Sequence, residues 1–272
     1  PGLSQSRPAY LIGTKPFAEQ YVLASLIGDR LGAAGLSSAA REGLGSGVIF
    51  DALAAGEIDL YVDYTGTIWT TQMHQTGSKP RAEVLAETKA WLANKYGIAM
   101  VGALGFDNAY ALAMRRGRAT ALRIQTIAEL AALAPELSIA GDYEFFARPE
   151  WDSLRKAYAL SFRAQRQMQP EFMYQAAANG EVDVIAGYTS DGRIAQFDLA
   201  TLSDPKDAIP PYDAIVLVSP RRANDQALLG ALRPLIGTID IKLMRAANLR
   251  AAGGGGSARD AARWLAEQIE RN

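Results

Sequence analysis

The sequence has no cysteine and a single histidine among its 272 residues. Without cysteine there is no disulfide framework, no thiolate metal site and no cysteine nucleophile. The one histidine, His74, sits in the polar stretch Met73-His74-Gln75-Thr76-Gly77 and has no serine in a nucleophile-elbow context. It reads as a surface side chain. Net charge is also close to absent: 28 basic against 29 acidic residues leave −1, so no electrostatic footprint for nucleic acid or an anionic membrane surface is expected. No run of about 18 apolar residues occurs, so no segment reads as a transmembrane helix. No signal peptide is visible either. The chain opens Pro1-Gly2-Leu3-Ser4 without an initiator Met, which reads as a signal sequence already removed, with a lipid anchor still open.

The chain is 49% hydrophobic and 21% charged, enough apolar matter for sizeable cores and unlike a disordered segment. Its organising feature is a repeat. Gly56-Glu57-Ile58-Asp59-Leu60 is followed by Tyr61-Val62-Asp63-Tyr64-Thr65, and Gly180-Glu181-Val182-Asp183-Val184 by Ile185-Ala186-Gly187-Tyr188-Thr189. Both fit G-E-[IV]-D-[LV]-x-x-x-Y-T at an offset of 124 positions. Each copy reads as a helix end, a short buried strand and a turn that presents a tyrosine. One copy per lobe is expected, with Tyr64 and Tyr188 facing a shared cleft.

Around these copies, strands and helices alternate. A strand is expected at Ala9–Gly13, then a helix through Tyr21, Leu23, Leu26, Ile27 and Leu31, with Thr14 as its N-cap and Pro16 in its first turn. Lys15 then lies where a strand gives way to a helix, the edge at which open α/β sheets bind ligands. Arg41–Gly47 is glycine-rich but lacks a Gly-Lys-Ser/Thr ending and follows no clear apolar strand, so it reads as a tight turn and not as a phosphate loop. Further helices are expected at Arg81–Tyr96, Ile127–Leu133, Trp151–Tyr158, Glu171–Asn179, Asn224–Ile236 and Ser257–Ile269. Strands are expected at Ile98–Gly102, Phe106–Met114, Leu137–Gly141 and Ala214–Val218. Gly253–Gly256 reads as a native loop before a capping Ser257. The alternation argues for α/β lobes built on mostly parallel sheets, residues 1–107 plus 213–272 forming one and 108–212 the other.

Four tyrosines, Tyr64, Tyr110, Tyr188 and Tyr212, fall at strand ends or crossovers. Together they could box a large, weakly hydrated cation against their ring faces, at about 0.5–2 kcal/mol per ring. Each alone reads more readily as a half-buried packing residue whose hydroxyl is wet; the repeat offset is what favours function for the set. Arg148 follows the apolar turn Tyr143-Glu144-Phe145-Phe146. It could pair with a ligand carboxylate, or with Glu144 four residues earlier. Lys15 and Thr67 could donate to the same carboxylate. Trp69 fits either core or pocket wall. Asp59, Asp63, Asp183 and Asp191 suggest a metal or an acid pair less well than capping and solvation. No metal, cofactor or catalytic set is expected.

At these residues the chain resembles the substrate-binding proteins of osmoprotectant ABC transporters, the glycine betaine/carnitine/choline/proline betaine-binding group. The resemblance runs over nearly the whole length. It is carried by Gly13–Gln20, the first repeat copy through Thr67, Asn108–Leu112, Tyr143–Phe146 with Arg148, and Pro210-Pro211-Tyr212-Asp213. It implies a two-lobe periplasmic-binding-protein-like fold of the type with two crossovers, a ligand cleft between the lobes, and no enzymatic activity. It implies an aromatic box on Tyr64, Tyr110, Tyr188 and Tyr212 and a carboxylate clamp on Arg148, Thr67 and Lys15, with Asn108, Glu144, Trp69 and Trp151 as further candidates. It implies an extracytoplasmic monomer that hands a betaine-like zwitterion to a membrane permease. Choline, lacking a carboxylate, is expected to fit less well than glycine betaine. One departure stands out. After the arginine the family often has an acidic residue and glycine, whereas Pro149-Glu150-Trp151-Asp152 stands here, so Trp151 could reshape specificity toward a larger betaine. Two other readings stay open. An amino-acid-binding protein of the same architecture would need carboxylates for an α-ammonium. An enzyme on a two-lobe fold has the missing cysteine and lone histidine against it.

Overall fold

The computed structural model describes residues 9–252 and 257–272; the opening Pro1-Gly2-Leu3-Ser4 and the Gly253–Gly256 loop lie outside these. Among the described residues there are ten strands: β1 (Tyr10–Gly13), β2 (Ser38–Arg41), β3 (Leu60–Tyr64), β4 (Ala99–Asp107), β5 (Tyr110–Arg115), β6 (Ser138–Gly141), β7 (Ala164–Gln167), β8 (Val184–Tyr188), β9 (Leu199–Thr201) and β10 (Asp213–Val218). They divide between two compact units. The first holds the described residues up to Ile68, Leu85–Phe106 and those from Asp213 on; the second holds Trp69–Val84 and Asp107–Tyr212. Residues 69–84, expected in the first lobe, group with the second unit.

Each unit contains one five-stranded sheet, ordered β2-β1-β3-β10-β4 in the first and β7-β6-β8-β5-β9 in the second. The orders match strand for strand around the repeat: β3 and β8 are the central strands. On one side each has a parallel neighbour, β1 or β6. On the other side each has an antiparallel neighbour, β10 or β5. The sheets are therefore more mixed than the sequence suggested. In the second unit, β6 pairs in parallel with β7 and β8, while β5 pairs antiparallel with β8 and β9.

The repeated residues explain the repeated fold. Gly56 and Gly180 follow helices Ser46–Ala55 and Pro170–Ala178 with φ of 75° and 78°, a left-handed turn that a side chain resists. Asp59 Oδ2 then accepts the N–H of Leu11 at 2.8 Å, and Asp183 Oδ2 accepts the N–H of Ser138 at 3.0 Å. Each aspartate thus pins the start of the neighbouring parallel strand. At the far end, Thr65 Oγ1 accepts the N–H of Asp213 at 2.9 Å and Thr189 Oγ1 accepts that of Ala109 at 3.0 Å. Each threonine fixes the point where the antiparallel strand enters its sheet. The acidic residues read as capping or solvated thus have a defined task, a side chain-to-strand clamp.

Helix Ala18–Ala33 buries Val22, Leu23, Leu26, Ile27 and Leu31 at helical spacing. Full burial of each such side chain contributes about 1.5–3 kcal/mol. Its N-cap is Phe17 and not Thr14. Thr14 is buried, and its hydroxyl accepts the N–H of Gly43. The expected continuous strand over Phe106–Met114 breaks at Asn108 and Ala109, whose N–H groups leave the ladder for the Tyr212 carbonyl and the Thr189 hydroxyl. Ser257 caps the last helix through a reciprocal pair with Asp260. Among the described residues, no helix is long and apolar enough to cross a membrane.

Candidate functional site

In the second unit the antiparallel register sets Tyr110 directly opposite Tyr188. In the first unit the residue opposite Tyr64 is Ala214, so only the second unit builds a tyrosine pair from the repeat. The ring centroids of Tyr110 and Tyr188 are 4.9 Å apart with 31° between planes, within the range of favourable aromatic contact. The Tyr188 hydroxyl is 3.2 Å from that of Tyr110 and 3.2 Å from Asp142 Oδ2. A phenol has one proton. Tyr188 is the donor to both, so its one proton is shared between the Tyr110 hydroxyl and the Asp142 carboxylate. Burial first, then the Tyr110 hydrogen bond and the Asp142 charge, push the Tyr188 phenol far above its ordinary range. Burial also raises the Tyr110 phenol, against the opposing effects of its bond to Tyr188 and of Arg148.

Asp142 was not singled out by the sequence reading. Its other oxygen, Oδ1, accepts the N–H of Glu144 at 3.0 Å and of Phe145 at 2.8 Å. It therefore ties the tyrosine pair to the turn Phe145–Ala147 that leads to Arg148. An aspartate two and three residues ahead of a tight turn was the available signal.

Arg148 lies with Cζ 5.1 Å from the Tyr110 ring centroid. Its guanidinium does not reach Glu144, which is exposed. It pairs instead with Glu150, Nε to Oε2 and Nη2 to Oε1, both at 3.1 Å. Glu150 is 5% exposed and also accepts the Tyr212 hydroxyl at 2.8 Å. Burial alone would favour the neutral forms of the pair. Their mutual hydrogen bonds outweigh it, holding the Glu150 carboxyl below its usual range and the guanidinium firmly charged. Burial and then the Glu150 charge raise the Tyr212 phenol. Three of the expected ligand residues, Tyr110, Arg148 and Tyr212, are thus brought together: Arg148 lies over the Tyr110 ring, and Glu150 joins Arg148 to Tyr212. Tyr188 joins through Tyr110.

Trp151 is 2% exposed and packs on Phe145, Phe146 and Phe162, so it supports the turn from the core side. Asn108 donates its backbone N–H to the Tyr212 carbonyl at 3.0 Å. Trp69 is 1% exposed, with Lys79 Nζ 5.7 Å from its ring. A cavity of about 300 Å³ opens beside Tyr110 in the second unit, between Ala109–Leu112 and Leu202–Pro211, with Asp204, Asp207 and Arg81 at its walls.

In the first unit, Lys15 Nζ lies 2.7 Å from Asp63 Oδ1 with both side chains buried. Asp63 also accepts the Tyr61 hydroxyl and the N–H of Tyr64. Burial, then the Asp63 charge, raise the Tyr61 phenol well above its ordinary range. The Tyr64 hydroxyl donates to Glu19 Oε1 at 2.6 Å and accepts from Gln20 Nε2 at 3.1 Å. Lys15 Nζ lies 5.4 Å from the Tyr64 ring, and Phe17 stacks on that ring at 6.3 Å. Tyr64 and Lys15 are therefore neighbours in one buried polar network. Thr67 is half-buried in the helical turn Thr65–Thr67 that leaves β3. Of the four aspartates weighed above, Asp59 pairs with Arg222, Asp63 with Lys15, Asp183 with Arg118 and Asp191 with Arg193. Among the described residues no cluster of His, Asp or Glu could hold a metal ion.

This arrangement can be set beside known proteins. The family described as the substrate binding domain of the ABC-type glycine betaine transport system matches residues 10–267. The chain belongs to this family. It is therefore a transport binding protein and not an enzyme. A Glycine-betaine-binding protein of Pseudomonas aeruginosa is 30% identical over 262 residues, 92% of this chain and 84% of that protein. The ergothioneine transport permease/ergothioneine binding protein of Helicobacter pylori (strain G27) is 30% identical over 212 residues, 76% of this chain. The chain spans only 38% of that protein's length. Among solved structures, a glycine betaine/carnitine/choline ABC transporter superposes with a TM-score of 0.90 at 24% identity, over 96% of this chain and 98% of the other. That likeness fixes the two-lobe α/β fold of solute-binding proteins.

Proposed function

We propose that the chain is an extracytoplasmic binding protein for a quaternary-ammonium zwitterion of the glycine betaine type, and that it delivers this ligand to an ABC permease. The observation that carries the reading is the second-unit cluster: paired Tyr110 and Tyr188 rings, with the charged Arg148 over the Tyr110 ring and joined through Glu150 to Tyr212. Ring faces bind an ammonium that has no N–H to donate. Arg148 spends Nε and one Nη2 hydrogen on Glu150, and a guanidinium has five N–H groups. Its remaining edge can meet a ligand carboxylate. Tyr64, Lys15 and Thr67 are the ligand-binding candidates of the first unit on this reading, with Asn108, Glu144, Trp69 and Trp151 as further candidates. An amino-acid ligand is less well served. Its α-ammonium needs a carboxylate acceptor, and Asp142, beside the tyrosines, already accepts from Tyr188 and two backbone amides. A larger betaine is the second reading, favoured by the name of the Helicobacter pylori relative.

Isothermal calorimetry with glycine betaine, carnitine, choline and ergothioneine tests both readings. Micromolar binding of at least one betaine, about −8 kcal/mol, is expected, and Arg148→Ala and Tyr188→Ala should each weaken it by tenfold or more. Unchanged affinity in both variants would place the site elsewhere. Tightest binding of ergothioneine would select the second reading.

A further inference from the structure

We propose that Glu150 is a specificity-determining residue: it counter-charges Arg148 from within the protein and so sets how strongly the site distinguishes a zwitterion from a simple quaternary-ammonium cation. This rests on the reading of the second-unit cluster as a quaternary-ammonium site.

The charges within the cluster come from two segments. Arg148 and Glu150 flank the start of helix Pro149–Tyr158, where Arg148 is the N-cap residue. Asp142 ends the stretch after β6, and Tyr110, Tyr188 and Tyr212 bring only neutral phenols. The single guanidinium is thus matched by one carboxylate in bidentate contact and accompanied by a second, Asp142. Arg148, Glu150 and Asp142 together carry a formal charge of −1, not the +1 that Arg148 alone would give. The Glu150 carboxylate is 5% exposed, and its two oxygens take Nε and Nη2 of Arg148 while Oε1 also takes the Tyr212 proton. It occupies one edge of the guanidinium in the way a ligand carboxylate would, and it leaves the opposite edge outward. Arg148 is 37% exposed.

The two consequences have opposite signs for different ligands. A ligand carboxylate is attracted by Arg148 and repelled by Glu150. A ligand ammonium is attracted by Glu150 and Asp142 and repelled by Arg148. For a zwitterion these contributions largely offset each other. For choline, which carries only the cation, the internal carboxylate is wholly favourable. Glu150 therefore narrows the advantage of glycine betaine over choline. Removing its charge without removing its shape should widen that advantage by about tenfold or more, since a unit charge within about 6 Å at an effective dielectric near 20 acts at this scale.

The experiment measures dissociation constants for glycine betaine and choline by calorimetry at neutral pH in four proteins: the natural chain, Glu150→Gln, Arg148→Gln, and the double variant. The ratio of choline to glycine betaine constants should rise about tenfold in Glu150→Gln, fall below the natural value in Arg148→Gln, and return to within about threefold of the natural value in the double variant. A purely structural role for Glu150 would weaken both ligands together and leave the ratio fixed; that result overturns the proposal. Thermal unfolding of each variant, with and without ligand, separates loss of folding from loss of binding. If neither ligand binds the natural chain, the quaternary-ammonium reading fails and this inference with it. If both bind and Glu150→Gln leaves the ratio unchanged, the inference alone fails.

Discussion

The Lys15 ammonium sits 2.7 Å from the Asp63 carboxylate, and the two side chains are 5% and 1% exposed. A buried pair of this kind costs much when one member is lost, because the survivor keeps its charge without a partner. Asp63→Ala should destabilise the first unit by about 3–5 kcal/mol, read as a lowered urea midpoint. Replacing both ends together, Lys15→Met with Asp63→Leu, should recover most of that loss. Equal losses in the single and double variants would contradict the pairing.

Tyr188 should separate ring from hydroxyl. Tyr188→Phe keeps the ring against Tyr110 and removes the proton given to Asp142. Binding of a quaternary ammonium should then stay within about threefold, whereas Tyr188→Ala removes a ring contact of about 0.5–2 kcal/mol together with the packing around it. Calorimetry on the pair decides it; a Phe variant as weak as the Ala variant would move the decisive contact to the hydroxyl.

Asp142→Ala removes two backbone acceptor contacts and the acceptor for Tyr188. The turn that leads to Arg148 should loosen. Ligand affinity is expected to fall by tenfold or more, although Asp142 is assigned no ligand contact. Hydrogen exchange at Glu144 and Phe145 should speed up in parallel. Unaltered exchange there would show that the turn holds without this aspartate.

Alkaline pH should destabilise the protein through its buried phenols. Tyr61, Tyr174, Tyr188 and Tyr212 are all raised above the ordinary value of 10.0, burial being the largest cause in each. Below that value the phenols are protonated in both folded and unfolded chains, and their contribution is fully present. Above it the unfolded chain releases protons that the folded chain retains, so stability falls as pH rises. Each such tyrosine contributes a slope of about 1.4 kcal/mol per pH unit. Urea midpoints across about pH 9 to 11 should show the decline. Phenolate absorbance in the folded chain should report fewer than the eleven tyrosines of the sequence until unfolding exposes the rest.

Gly187 precedes Tyr188, and a Cβ there would come within 2.7 Å of the Tyr174 hydroxyl, which accepts the N–H of Tyr188 at 3.0 Å. Tyr174 is fully buried and has little room to retreat. Gly187→Ala should cost about 1–3 kcal/mol as an overpacked core does, and should disturb Tyr188. A thermal midpoint unchanged from the natural chain would show that the ring can shift.

Much of the fold could be read in advance where local signals were strong. Helix Ile127–Leu133 and helix Arg81–Tyr96 have the expected bounds, because apolar spacing, an N-terminal cap or a preceding proline marks them. The strands β2 and β7 were not seen. Ser38–Arg41 and Ala164–Gln167 carry no β-branched residue and no alternation. They are strands because β1 and β6 offer them a parallel edge, which is a tertiary fact. Among the candidate residues, the four tyrosines were visible at strand ends or crossovers and Arg148 as a charge after an apolar turn. Glu150 appeared only as part of a departure from a motif, and Asp142 not at all. A carboxylate's partner depends on which backbone N–H or guanidinium folding brings near it.

The repeat was therefore the sequence's own statement. Glycine, aspartate and tyrosine at matching offsets mark a left-handed helix exit, a carboxylate and a presented ring; the exit needs only a few neighbouring residues, whereas the carboxylate clamps a strand 48 or 45 positions away. What pairs with the presented ring was decided by tertiary structure. The strand opposite Tyr188 carries Tyr110, the strand opposite Tyr64 carries Ala214, and both opposing strands arrive from distant parts of the chain. The same local motif consequently became a tyrosine pair joined to a charged cluster in one unit and a buried network around Lys15 in the other.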